Sequence, residues 1–499
     1  MPHSPTRSTH SPRSAWAALW TMMLGFFMIL VDGSIVSVAI PAISESLGAT
    51  YNQVIWVNSA YLLAYAVPLL ITGRLGDRFG PKTLYILGLT LFTGASAACG
   101  LASSISMLIG ARALQGIGGA MVTPQTMAVM IRTFSPQQRG SAMGVWGAVA
   151  GVATIVGPLM GGLLVDGWGW EWIFFINVPV GIVGVALAAV YVPRLELTAR
   201  RLDWLGVALS AVGMFCLVFG IQESAALAWD IRAIGLIGAG CALLAVFIAW
   251  QRRTARDPLV PLSLFDDRNF ALASVAITTV GFGITAMVPW MIYVQRVQGF
   301  TPTEAALLVL PAGVVSGAVS PFVGRLTNTR DPKAFAIAGL STTGASIALL
   351  ALIADPSIDP TWMLAISVIN GLGNAMMWGP LSMIATRNLD PRLAGAGSSV
   401  YNTVRQLGAV IGSAAIAAMM TAQLNRQLGA TGGAGAGGGA GAGADASSGV
   451  LPEAIHEPFA AAMSATLWLP AVVLLAGAAV ALCFAPTKAW GAHQSPMGK

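Results

Sequence analysis

The feature that most constrains this chain is a succession of fourteen apolar runs joined by short polar loops. A helix needs about 20 apolar residues to cross a bilayer. The runs lie near 15–41, 54–72, 83–102, 106–131, 141–165, 172–192, 204–221, 232–250, 271–294, 303–323, 334–354, 361–386, 399–421 and 461–484. Inside hydrocarbon each backbone N–H and C=O must be paired within the protein, so runs of this length are expected to be helices. Charge agrees. Only 9% of the residues are charged, against about 25% in a soluble domain. A polar surface cannot be built from that supply. The expected class is an all-α polytopic membrane protein with fourteen spans.

Loop charge sets the expected orientation. With the N-terminus inside, the inner loops and tails hold 21 of the 26 Lys and Arg residues, and the outer loops hold three, Arg232, Arg296 and Arg426. This positive-inside bias predicts that both termini lie in the cytoplasm. The first run is about twice the length of a signal-peptide core and has no clear cleavage site, so it is expected to be retained.

Several chemistries lack their residues. Cys99, Cys216, Cys241 and Cys483 sit in apolar runs and form no C-x-x-C pair, so neither a disulfide framework nor a metal site is expected. The four histidines lie in tails or polar loops. No lysine follows a G-x-x-x-x-G-K-[ST] pattern, so no phosphate cradle is expected. A membrane-embedded enzyme would need several convergent catalytic side chains, and the apolar runs do not supply them. No enzyme, cofactor or nucleic-acid partner is expected.

The chain repeats internally. GRL at 73–75 corresponds to GRL at 324–326, GIGGAM at 116–121 to GLGNAM at 371–376, and Arg139 to Arg392. The offsets are 251, 255 and 253 residues. Runs 1–6 therefore repeat as runs 9–14 in the same orientation, a known transporter design. The expected division is a six-helix bundle over 1–200, a two-helix insert with linker over 201–265, and a second bundle over 266–499. The nearly pure Gly and Ala stretch near 429–449 reads as a flexible outer linker.

Few polar residues lie deep in the runs. Asp32 is the only deep acid. A central Asp costs roughly 2.5–3.5 kcal/mol on insertion scales and so calls for a reason. One reading is reversible protonation. The other is a static carboxylate satisfied by Ser34 or nearby backbone. Arg112 lies one turn into the fourth run. Beside Asp32 it would favour the ionised carboxylate while burial favours the neutral acid, and a carboxyl balanced between the two can exchange a proton. A static ion pair or an interfacial arginine is the alternative.

The loop GRLGDRFGPK at 73–82 offers Gly73, Asp77, Arg78 and Gly80. Its basic residues serve topology in any case. Asp77 and the glycine spacing point further, to a gate latch, with Asp77 expected near the N-terminal end of the third helix. GAVAG at 147–151 and GPLMGG at 157–162 place small residues four apart, which by spacing alone means close packing, with Pro158 expected to kink the helix. Gln115, Met121, Trp290, Asn370, Asn374, Met377 and Arg405 are candidates for a cavity of mixed polar, aromatic and methionine character, which would suit varied apolar ligands. For each of them, packing or lipid exposure is the competing reading.

These motifs resemble the major facilitator superfamily, and within it the fourteen-helix drug:proton antiporters of the EmrB/QacA type. The match spans nearly the whole chain. Residues 73–83 resemble the loop signature after the second helix, whose gating acid falls on Asp77. Residues 108–120 resemble the fourth-helix motif, whose proton-coupling arginine falls on Arg112. Residues 147–162 resemble the fifth-helix antiporter motif, here Gly157, Pro158 and Gly161. LVDGSIVSVAIP at 30–41 is similar to the first-helix motif, with its acid at Asp32. WEWIFFINVPVG at 170–181, LDWLG at 202–206 and 258–270 are also similar to this group.

The resemblance implies proton-coupled efflux of amphipathic drugs, antibiotics or toxic metabolites across the cytoplasmic membrane by a monomer. Export of one endogenous solute (a lipid, siderophore or amino acid) is the alternative, and a channel fits the repeat less well. There are departures. Glu171 stands where the group usually has Arg. Relatives that export dications carry extra acids in helices 10 and 13, whereas this chain has only Glu304 at the edge of one and Arg405 in the other.

Overall fold

The computed structural model describes residues 12–49, 51–195, 197, 203–223, 230–253, 258–390, 393–430 and 455–485. Regular structure there is helical: α1 (Pro12–Ser46), α2 (Tyr51–Ala66), α3 (Leu69–Phe79), α4 (Pro81–Gly100), α5 (Ile105–Thr133), α6 (Pro136–Trp168), α7 (Trp172–Phe175), α8 (Asn177–Tyr191), α9 (Trp204–Glu223), α10 (Ile231–Arg253), α11 (Arg268–Ile284), α12 (Met287–Arg296), α13 (Pro302–Leu326), α14 (Pro332–Leu352), α15 (Pro360–Thr386), α16 (Ala394–Ala430) and α17 (His456–Leu482). A 3-10 turn over Leu262–Asp266 precedes α11.

Among the described residues, twelve helices are long and apolar enough to cross a membrane, and thirteen if α2 and α3 count as one bent span. α15 is 27 residues long but is not one of them. Its Asn370, Asn374 and Trp378 lower its hydropathy, and all three belong to the cavity described below.

Three runs differ from their expected form. Run 54–72 breaks at Pro68, and the two pieces meet at 47°. Proline removes a backbone donor and crowds the preceding turn, so the chain bends there. The run near 271–294 divides between α11 and α12 at Thr285 and Ala286, and the run near 172–192 between α7 and α8 at Ile176. Conversely, α6 continues through Pro158. Helix starts follow local chemistry: Ser104 accepts from the Met107 N–H, Asp267 from Phe270, and Thr301 with Glu304 forms a reciprocal cap. Gly80 joins α3 to α4 at φ +93°, a conformation costly for other residues.

The repeat is visible in packing. A Cβ on Gly116 would press on the Tyr61 carbonyl of α2, and one on Gly371 on the Ala312 carbonyl of α13. Gly118 lies against Gly88 and Phe92 of α4, and Gly373 against Gly339 and Thr343 of α14. Each motif thus seats its helix between two equivalent neighbours. Arg139 donates to the carbonyls of Ile131 (2.7 Å) and Phe134 (3.4 Å), closing the end of α5. Its expected counterpart Arg392 lies outside the described residues, as do positions 431–449 of the Gly/Ala stretch.

The halves meet along two seams. α6 runs against α13, where Gly144 faces Ser320 and Gly324. α3 and α5 pack on α16. The hairpin α9–α10 lies outside the second seam, with α9 against α2 and α16.

Candidate functional site

Asp32 and Arg112 are both fully buried, and Arg112 Nη1 lies 2.5 Å from Asp32 Oδ2. The other carboxylate oxygen, Oδ1, accepts from Gln115 Nε2 (2.7 Å) and Asn177 Nδ2 (2.9 Å). Three helices supply this centre: α1, two turns of α5, and the first residue of α8. Asn177 also donates to Ser96 Oγ (3.1 Å), which in turn donates to the Phe174 carbonyl (2.9 Å). Arg112 donates to Gln115 Oε1 (2.8 Å) and the Val57 carbonyl (3.2 Å), and its guanidinium lies 4.1 Å from the Tyr61 ring centroid. A buried pair survives only when its remaining polar atoms are satisfied, and these contacts do most of that. Arg112 Nη2 has no hydrogen-bond partner among the described residues.

The fifth-helix glycines border the same centre. A Cβ on Gly157 would collide with Ser34, and Gly161 lies against Ile35, so α6 closes on α1 within one turn of Asp32. Pro158 sits between them in an unbroken helix.

The loop 73–82 meets the second half of the chain. A Cβ on Gly73 would collide with Ser399, and one on Gly395 with the Asp77 carboxylate. Asp77 is 3% exposed. The helix start that it meets is that of α16, and it also stands four residues before Pro81, the first residue of α4. An anion there is favoured by the helix dipole. Arg78 instead turns outward over the Phe79 ring, 5.4 Å from its centroid.

A cavity of about 170 Å³ lies in the second half, lined among others by Met287, Trp290, Asn370, Asn374, Met377 and Trp378. A ladder along α15 fixes its polar wall: Asn370 donates to Ser346 (2.8 Å), Asn374 to Asn370 (2.8 Å), and Trp378 to Asn374 (3.2 Å). Among the described residues, no carboxylate lines it. Trp146 bridges the halves, stacked on Phe26 (5.1 Å) and edge-on to Trp378 (6.1 Å).

Of the expected lining residues, Trp290, Asn370, Asn374 and Met377 are in place. Three are not. Gln115 serves Asp32 instead. Met121 packs toward Gly88 of α4. Arg405 is 8% exposed on α16, with its backbone carbonyl against Gly281, and does not line the cavity. Glu304 caps its own helix through Thr301 (2.9 Å) and stays outside too. Neither Asn177 nor Ser96 stands out in the sequence, although Asn177 lies within the motif at 170–181.

The family model described as Major Facilitator Superfamily matches residues 22–413. An uncharacterized MFS-type transporter of Mycobacterium tuberculosis is 48% identical over 473 residues, covering 94% of this chain and 81% of that protein. The multidrug export protein EmrB of Escherichia coli strain K12 is 31% identical over 405 residues, covering 80% and 78%. Among solved structures, the proton:xylose symporter XylE aligns with a TM-score of 0.66 at 13% identity, covering 96% of this chain and 98% of that one. At that identity the likeness shows the fold alone.

Proposed function

The chain belongs to the Major Facilitator Superfamily, in its EmrB-type drug:proton antiporter group, and from that premise we propose how it moves its cargo. It is a multi-pass protein of the cell membrane and a transporter, not an enzyme. It exports amphipathic drugs, antibiotics or toxic metabolites. Protons drive the export, with Asp32 as their carrier. The observation that carries this reading is the separation of tasks. The one deep carboxylate, with its arginine and amides, lies in the first half, and the ligand cavity lies in the second.

In the arrangement described, Asp77 and Gly73 close α3 on α16, and Gly144 closes α6 on Gly324. That end is taken as cytoplasmic on the loop charges. Protonation of Asp32 releases Arg112, and the fifth-helix contact at Ser34 transmits the change to α6, which also lines the cavity through Gly151. The cavity of about 170 Å³ is below the 300–1,000 Å³ of ordinary ligand pockets. A drug-sized cargo is admitted when the halves separate.

The architecture proposed is fourteen spans with both termini inside, α15 being the fourteenth, and the division 1–200, 201–265 and 266–499. It works as a monomer. The test is flux in proteoliposomes with an imposed pH gradient. Accumulation of an apolar dye that an uncoupler collapses is expected. Gradient-independent equilibration would overturn proton coupling, and transport of a single polar metabolite alone would favour the endogenous-solute alternative.

A further inference from the structure

A larger space lies elsewhere. A cavity of about 830 Å³ lies between the hairpin α9–α10, the 3-10 turn and α16, lined by Met214, Leu244, Phe247, Ile248, Val404 and Leu407 among others. Its polar residues are few. Gln251 is committed to structure, donating to Asp203 (2.8 Å) and accepting from the Val260 N–H (3.2 Å). Thr403 is 3% exposed, and its hydroxyl has no partner among the described residues. It lies nine residues into α16, roughly 14 Å from the helix start at 1.5 Å per residue.

Arg252 and Asp266 also line the cavity, in exposed positions at the ends of α10 and of the 3-10 turn. Neither has an ion-pair or hydrogen-bond partner among the described residues. Among the described lining residues, the space thus runs from a rim carrying one cation and one anion to an apolar interior with a free hydroxyl. A singly charged head would be opposed by one of the two rim charges, and an uncharged head would leave both unmatched. We infer that this cavity binds a zwitterionic amphipath, its apolar body between the hairpin and α16 and its two charges at Arg252 and Asp266. The inference goes beyond the export reading and does not depend on Asp32.

The experiment photolabels the full chain in maltoside detergent with a diazirine-tailed phosphocholine lysolipid, and with phosphoglycerol and maltoside probes of equal tail length. Labelling within 244–248 and 400–407, strongest for phosphocholine, is expected. Ile248→Trp, at a half-exposed wall position, should suppress it. Arg252→Gln and Asp266→Asn should each weaken the head preference by about fivefold, the scale of one exposed charge contact. The double exchange Arg252→Asp with Asp266→Arg should restore it. Competition by unlabelled phosphatidylethanolamine would assign the site to bilayer lipid, and competition by a zwitterionic exported compound would assign it to cargo. Equal labelling by the three heads, or labelling untouched by Ile248→Trp in a protein of normal size-exclusion profile, would overturn the inference.

Discussion

Asp32 stays buried because two amide donors, two acceptors for its arginine and an aromatic ring surround the ion pair it forms, and each is a separate handle on it. Removing Arg112 alone strands a buried charge. Arg112→Gln should therefore cost about 3–5 kcal/mol, read as a fall in the detergent melting temperature. The double variant Asp32→Asn with Arg112→Gln should recover most of that loss yet remain uncoupled, and a double variant no more stable than the single would count against the pairing. Asn177→Leu removes one donor to the carboxylate. Losing that hydrogen bond should lower gradient-driven uptake in proteoliposomes several-fold while the protein keeps its size-exclusion profile and still binds cargo. Unchanged uptake would make Asn177 a mere packing residue. Asp32 and Arg112 were legible in the sequence because deep charges are rare. Asn177 was not, since it lies 145 positions from Asp32, and an amide in an apolar run names no partner until its helix is placed.

The proposed gate is made of elements, whose backbones touch where glycines leave room. A Cβ on Gly144 would stand 2.8 Å from the Ser320 carbonyl and 2.9 Å from Gly324 Cα. Gly144→Val should hold that seam apart, and Asp77→Asn should loosen the latch on α16. Each should favour the cytoplasm-open state by roughly 1–3 kcal/mol, the usual size of such couplings. Maleimide labelling of Ser398→Cys, buried against the Pro124 carbonyl, would report it once Cys99, Cys216, Cys241 and Cys483 are replaced. Unchanged labelling would reduce 73–82 to a topological loop. The repeat and the runs were readable from periodicity and length. The bend at Pro68 was not, because the apolar composition continues straight through it. Met121 and Arg405 were misplaced for a related reason: composition does not reveal which way a helix that is apolar all round is turned.

The whole molecule keeps its deep acid in one half and its cavity in the other, and that division governs what it can carry. Among the described residues, no carboxylate lines the cavity, so a dication would enter unpaired, at a cost of several kcal/mol. Apolar contact with Met287, Trp290 and Met377 offers instead about 25 cal/mol per Å² buried. Resistance panels should favour neutral or singly charged compounds over bis-cations, and a carboxylate introduced at Thr343 should extend the range toward dications. Strong native export of a bis-quaternary compound would show that a further acid reaches the cavity in another state. The central claim is that Asp32 carries the coupling proton, and the most direct measurement is proton-driven uptake by Asp32→Asn in proteoliposomes beside the wild-type protein. The account predicts a folded protein that still binds cargo but accumulates none against its gradient. Full gradient-driven accumulation by Asp32→Asn would contradict it.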